Sequence, residues 1–211
     1  MGSWVATSAF QRCALAVLEG IGKRRWGYPP RLMAPVVAQL GAFGALRWFL
    51  WNMQRYGRTV KIFGEVRAHL LCVAISLINN CEYCTCAYAY ALELAYLQEH
   101  GRLFPLGERA ISALCGLPPA LIRHSLINAT QLAGLHTDAR WLDRTITLAL
   151  CEDRQPTDPD DVRIVHLVHM FSRLNLIAIA SGITPDEAPT PLNKDKALKL
   201  RYAALRATQT A

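Results

Sequence analysis

Apolar positions recur along this chain every three or four residues, and alternating strand-like runs are absent. That periodicity predicts helices over 7–24, 31–55, 60–79, 81–99, 106–114, 118–134, 138–151, 159–181 and 193–208. Pro29-Pro30, Gly101, Pro118-Pro119, the DRQPTDPDD run and the PDEAPTP run mark the breaks between them. The expected fold class is all-α. Three regions follow: an N-terminal helical extension over 1–27, a main domain over 28–185 and a basic C-terminal helix or tail over 186–211. No internal repeat and no low-complexity tract stands out.

One break matters for chemistry. Residues 68–79, AHLLCVAISLIN, form a strongly apolar helix that Asn79 and Asn80 interrupt. Asn is a good N-cap, so a new helix is expected to begin at Cys81, with Cys81 and Cys84 in its first turn. Unpaired N–H groups and the positive end of the helix dipole favour a thiolate there. A C-x-x-C at a helix start suits dithiol–disulfide chemistry, in which one thiolate attacks and its neighbour resolves the intermediate. Cys86 falls on a different face from Cys84.

A proton relay would have to lie close by. His69, Cys72 and Ser76 share one face of the preceding helix, and Tyr88 lies one turn beyond Cys84. If the two helices fold back as a hairpin, His69 and Tyr88 approach each other. Two other readings stay open. Cys81, Cys84 and Cys86 with a histidine form a possible zinc set, though no second C-x-x-C exists and the His166/His169 pair sits within the apolar run IVHLVHMF. The cysteines also fit as small buried hydrophobes, the role expected for Cys13, Cys115 and Cys151.

Composition narrows the setting. The chain has 211 residues, of which 52% are hydrophobic and 18% charged, enough for a sizeable core or an oligomer interface. The formal charge of +7 is concentrated at Lys23, Arg24 and Arg25 and at Lys194, Lys196, Lys199, Arg201 and Arg206. A solvated basic helix face accounts for it, and no nucleic-acid motif is visible. Seven scattered cysteines do not form a secreted disulfide framework. The start MGSWVATSAF lacks the marks of a signal peptide, and Ala6 occupies the Ser/Thr position of a myristoylation motif at Gly2. The longest apolar stretch, LMAPVVAQLGAFGAL, ends at Arg47, short of the roughly 20 residues a spanning helix needs. The expectation is a cytoplasmic protein with no transmembrane segment; attachment to a membrane surface stays open.

AHLLCVAISLINNCEYCTCAY resembles the signature R-E-L-V-x-L-x-V-S-x-x-N-x-C-x-Y-C-x-x-x-H of the AhpD-like, carboxymuconolactone decarboxylase superfamily. Ser76, Asn79, Cys81, Tyr83 and Cys84 fall in register. The stretches at 30–40 and 169–183 are similar to flanking segments of peroxidase-related members, so the likeness covers about 28–185. The resemblance implies an AhpD-like helical bundle whose helical hairpin carries the C-x-x-C, assembled as a homo-oligomer, a trimer or hexamer. It implies a thiol–disulfide oxidoreductase that takes a peroxide or disulfide substrate and is restored by a thiol reductant, either a protein or a small thiol, without a cofactor or metal. By resemblance Cys84 attacks and Cys81 resolves. His69 and Tyr88 complete the catalytic set, with Glu65, Ser76 and Tyr83 in support.

Two departures weaken the relay. His69 occupies the position of the family's glutamate, and Tyr88 that of its histidine. Glu65, one turn before His69, is placed to orient the imidazole. An imidazole with an ordinary pKa of about 6.5 acts as a base near neutrality, whereas a tyrosine with a pKa of about 10 does not. The alternative is therefore a catalytically relaxed scaffold of the same fold that binds a ligand or a partner protein. The decarboxylase branch generally lacks the C-x-x-C, so lactone decarboxylation is disfavoured.

Overall fold

The computed structural model describes residues 8–27, 29–151, 155–185 and 194–210. The Gly2–Ala6 reading, residue 28 at the first domain boundary, residues 186–193 after the second and the predicted first residue of each terminal helix lie outside these. Among the described residues there are nine α-helices and no strand, so the protein is all-α. The helices are α1 (Ala9–Trp26), α2 (Met33–Phe63), α3 (Glu65–Ile78), α4 (Glu82–His100), α5 (Glu108–Ser112), α6 (Pro119–Leu132), α7 (His136–Leu150), α8 (Pro159–Ala180) and α9 (Lys196–Thr210).

Local chemistry explains several ends. Ser8 and Gln11 form a reciprocal capping box at the start of α1, each side chain bonding the other's backbone N–H at 3.1 Å. Asp158 caps α8 by accepting from the Asp160 and Asp161 amides at 2.8 Å. One boundary differs from expectation. The predicted break after residue 55 is absent, because Gly57 stays helical. The chain turns instead at Gly64 (φ 83°, ψ 159°), in a region that side chains with a Cβ avoid. Gly41 (φ 71°, ψ 168°) takes a similar conformation inside α2 and kinks it, dividing a short first part from the long remainder.

Helix α3 is the central element. Leu70, Leu71, Ile75 and Leu77 are at most 1% exposed, each contributing about 1.5–3 kcal/mol through burial. Around it α4, α6, α7 and α8 supply Leu92, Tyr96, Leu126, Leu142, Ile146 and Phe171 to the main core. A second apolar cluster joins α1 (Leu18), the first part of α2 (Met33, Val36, Val37), Ala45 and Phe49 beyond the kink, the α8 end (Ile177, Ala178) and the cysteine region.

The C-terminal helix is not a free tail. Leu198 and Tyr202 of α9 pack on Leu94 and Leu97 of α4. Arg206 pairs with Glu93, a fully buried carboxylate on α4, and also donates to the Phe104 carbonyl at 3.1 Å. Arg201 donates to the Gly101 carbonyl at 3.0 Å. Two of the basic residues that the sequence places on a solvated face therefore serve docking. Helices α2 and α8 are each long and apolar enough to cross a membrane by length and composition, a test that core helices also pass. The sequence stretch ending at Arg47 understates α2, whose apolar character continues beyond that charge.

Candidate functional site: the buried Cys81–Cys84 pair

The α3–α4 hairpin is built by a two-residue turn. Asn80 N–H donates to the Leu77 carbonyl at 3.0 Å, and Cys81 N–H donates to the Ser76 carbonyl at 2.9 Å. With Asn80 in the left-handed region (φ 56°), this is a Schellman ending to α3. Asn80 therefore turns the chain instead of capping the next helix. Asparagine suits that place because its short polar side chain tolerates the left-handed conformation. Cys81 itself is the N-cap of α4, and its carbonyl accepts from the Thr85 amide at 2.9 Å.

The turn settles how the two thiols differ. Both are free and buried, Cys81 at 1% exposure and Cys84 at 4%. The Cys81 sulfur completes no capping hydrogen bond of full geometry. The Cys84 thiol faces it, however, and this interaction lowers the Cys81 pKa; burial opposes the fall and the Cys84 amide adds to it. The same interaction pushes Cys84 well above the usual thiol range, and burial pushes it further. This interaction favours the charged form at Cys81 over Cys84, the reverse of the order that the family resemblance implies.

His69 and Tyr88 do meet, with ring centroids 6.0 Å apart, and Tyr88 packs edge-on against Phe171 at 4.8 Å. His69 is buried, its Nδ1 has no hydrogen-bond partner, and burial lowers its pKa from 6.5 to about 4. It is neutral at pH 7 and a much weaker base than the ordinary imidazole expected from sequence. Neither thiol contributes to its shift. Glu65 does not orient this ring. It is exposed in the first turn of α3, where a carboxylate complements the helix dipole.

Ser76 supports the turn through its carbonyl; its buried hydroxyl has no partner. Tyr83 is 5% exposed and belongs with both cysteines to the cluster that includes Leu18, Val36 and Ile177. Cys72 is fully buried in the main core, and burial pushes its thiol far up. The sulfurs thus lie beneath α1 and the first part of α2, an arrangement that the C-x-x-C motif alone does not reveal.

The remaining cysteines depart from expectation. Cys13 and Cys151 are exposed and Cys115 is half-buried, so none is a small core hydrophobe. Cys13 lies on the outer face of α1, and Cys151 lies at the end of α7, where few neighbours cover them. Cys115 donates to the Asn80 side chain at 3.3 Å, which brings the α5–α6 connection against the turn that carries Cys81. Its long sequence separation from the motif hides this. Cys86 lies 3.0 Å from the Ser112 hydroxyl and takes no part in the Cys81–Cys84 pair.

Among the described residues no group of three His, Cys, Asp or Glu side chains is arranged to hold a metal ion. His166 and His169 stay on α8. His166 is buried with Nε2 3.0 Å from Asn52 Oδ1, while His169 is exposed. Burial, with the neighbouring Arg55 cation, lowers the His166 pKa to about 4. No family model, curated protein or solved structure matches the chain.

Proposed function

We propose that the protein is an AhpD-like thiol–disulfide oxidoreductase working through a Cys81/Cys84 dithiol–disulfide cycle, with peroxides among its substrates. The observation that carries this reading is the pairing of the two free thiols at the start of α4, where Cys84 favours the Cys81 thiolate. With a disulfide substrate, the Cys81 thiolate attacks one sulfur and the other leaves as a thiolate, which takes the Cys84 proton. Cys84 sulfur then attacks Cys81 sulfur, forms the intramolecular disulfide and releases the second substrate thiolate. With a peroxide, Cys81 is oxidised to the sulfenic acid and an alcohol leaves. Condensation with Cys84 then releases water. A protein or small-molecule thiol returns the pair to the dithiol. His69 and Tyr88 position the hairpin and exclude water in this scheme, and neither is its main base. The resemblance further suggests a homo-oligomer, trimeric or hexameric, and seven scattered cysteines without a disulfide framework favour the cytoplasm.

The test is the single-turnover oxidation of the pre-reduced protein by an alkyl hydroperoxide or a small disulfide, comparing wild type with Cys81→Ser and Cys84→Ser. Wild type should form the Cys81–Cys84 disulfide. Cys84→Ser should stop at a Cys81 sulfenic acid or mixed disulfide, and Cys81→Ser should react far more slowly. Equal oxidation of all three, or oxidation confined to Cys13 and Cys151, would sink the proposal.

Burial of both sulfurs and the weak basicity of His69 favour a second reading, a relaxed AhpD-like scaffold that binds a ligand or partner protein. It predicts that neither thiol of the pair is alkylated in the folded protein faster than a buried cysteine such as Cys72.

A further inference from the structure

Beyond the kink at Gly41, one face of α2 is turned outward. Phe43, Arg47, Leu50, Trp51, Gln54 and Arg58 follow one another at helical spacing, all exposed. Phe43 is 79% exposed, Trp51 65% and Leu50 54%. Helix α8 packs beside α2 and brings exposed Arg173 to this face, with Leu176 and Ile179 exposed further along α8. Phe43, Arg47, Leu50, Trp51 and Arg173 line a single open groove of about 1220 Å³. A contiguous apolar patch of this kind marks a contact surface, unlike scattered exposed leucines.

The charges on this face have one sign. Between Met33 and Phe63 the sequence carries Arg47, Arg55, Arg58 and Lys61 and neither Asp nor Glu. After Asp161, α8 carries the cations Arg163 and Arg173, again without an acid. The two acids at its start are engaged, Asp160 by Arg163 and Asp161 by Arg144. No acidic side chain among the described residues pairs with Arg47 or Arg173. The Arg55 guanidinium lies 5.8 Å above the Trp51 ring, the mixed aromatic and cationic chemistry of a membrane interface.

A second copy meeting this face across a two-fold axis would set cations against cations, which disfavours self-association here. A nucleic acid would satisfy the cations but leave Phe43, Leu50, Leu176 and Ile179 in water. An anionic bilayer satisfies both. Its headgroup phosphates take the arginines, and the acyl boundary takes the aromatic and aliphatic side chains. The geometry points to an anionic lipid surface as the partner of the α2–α8 face, with Phe43, Leu50 and Trp51 entering the headgroup layer. This inference is independent of the dithiol chemistry.

The experiment is co-sedimentation of the full chain with phosphatidylcholine vesicles, with and without phosphatidylglycerol. Trp51 burial is read as the emission difference between wild type and Trp51→Phe. Binding should require phosphatidylglycerol, weaken with added salt and shift the Trp51 emission to the blue. Arg47→Gln with Arg173→Gln should lower the partition coefficient by about 30-fold, at roughly fivefold per arginine. Phe43→Ser should lower it while leaving the salt dependence unchanged. Circular dichroism and thermal unfolding of each variant separate lost binding from lost folding. Any of four results would overturn the inference. These are equal binding to both vesicle types, a double arginine variant that binds like wild type, a lipid-free oligomer in which Trp51 is already shielded from an aqueous quencher, and a single-stranded oligonucleotide that displaces the protein from the vesicles.

Discussion

Replacing His69 with leucine should remove a defined part of the protein's acid sensitivity. Burial lowers the His69 pKa from 6.5 to about 4. Between those values the unfolded chain binds a proton that the folded chain does not. The stability contribution is therefore present above the ordinary value and is lost as pH falls towards the folded one. The whole shift corresponds to about 3.4 kcal/mol, of which roughly 2–3 kcal/mol has gone by about pH 4.5. His166 is lowered to about 4 as well and adds a loss of the same sign. Only a comparison between wild type and His69→Leu isolates one residue. Leucine removes a ring nitrogen that has no partner, so stability near pH 7 should stay within about 1 kcal/mol of wild type. Urea denaturation at about pH 7 and about pH 4.5 measures both quantities; the variant should lose roughly 2–3 kcal/mol less than wild type on acidification. An undiminished acid loss, or an NMR titration of His69 near 6.5, would refute the reasoning. The same result would restore His69 as a competent base near neutrality.

Other expectations follow from the same contacts. Cys84→Ala removes the thiol that favours the Cys81 thiolate, so the pH midpoint of Cys81 alkylation should rise; an unchanged midpoint would place the cause elsewhere. Arg206→Ala leaves the Glu93 carboxylate buried without its cation and should cost about 2–4 kcal/mol in urea denaturation. Burial raises the Glu93 pKa, so this deficit should be smallest below the ordinary carboxylate value and grow as pH rises; adding Glu93→Gln should recover part of it. Gly41→Ala should cost about 1–3 kcal/mol, measured by thermal unfolding. That loss is conformational alone, because an added Cβ at position 41 meets nothing within 4 Å.

Helical periodicity carried most of the fold. The α3–α4 hairpin was legible because an apolar run, two asparagines and a second run of the same kind follow one another. The α2–α3 boundary was not, because Gly57 and Gly64 look alike in sequence and only tertiary packing selects which takes a positive φ. Asn80 shows the same limit, since an asparagine between two helices suits both an N-cap and a left-handed turn. Within the site, the His69–Tyr88 approach followed from the hairpin. The His69 pKa did not, because it depends on how completely neighbouring helices cover the ring. The opposite shifts of the two thiols were also hidden, since they depend on how the buried sulfurs face each other. Cys115 was invisible as a neighbour of Asn80, because it comes from a connection far along the chain.

The cover over the dithiol has a kinetic consequence. Leu18 of α1 and Met33, Val36 and Val37 of α2 share one cluster with Cys81 and Cys84, and the chain between this cover and the body of α2 passes through Gly41. If the segment before Gly41 must swing aside to admit an oxidant, the oxidant reacts with a population, the fraction of molecules in which it has done so. At low oxidant the observed rate is the opening equilibrium multiplied by the intrinsic rate of the exposed thiolate. At high oxidant it levels off at the opening rate and no longer depends on which oxidant is supplied. Selectivity among substrates would then appear only under scarcity and vanish under saturation.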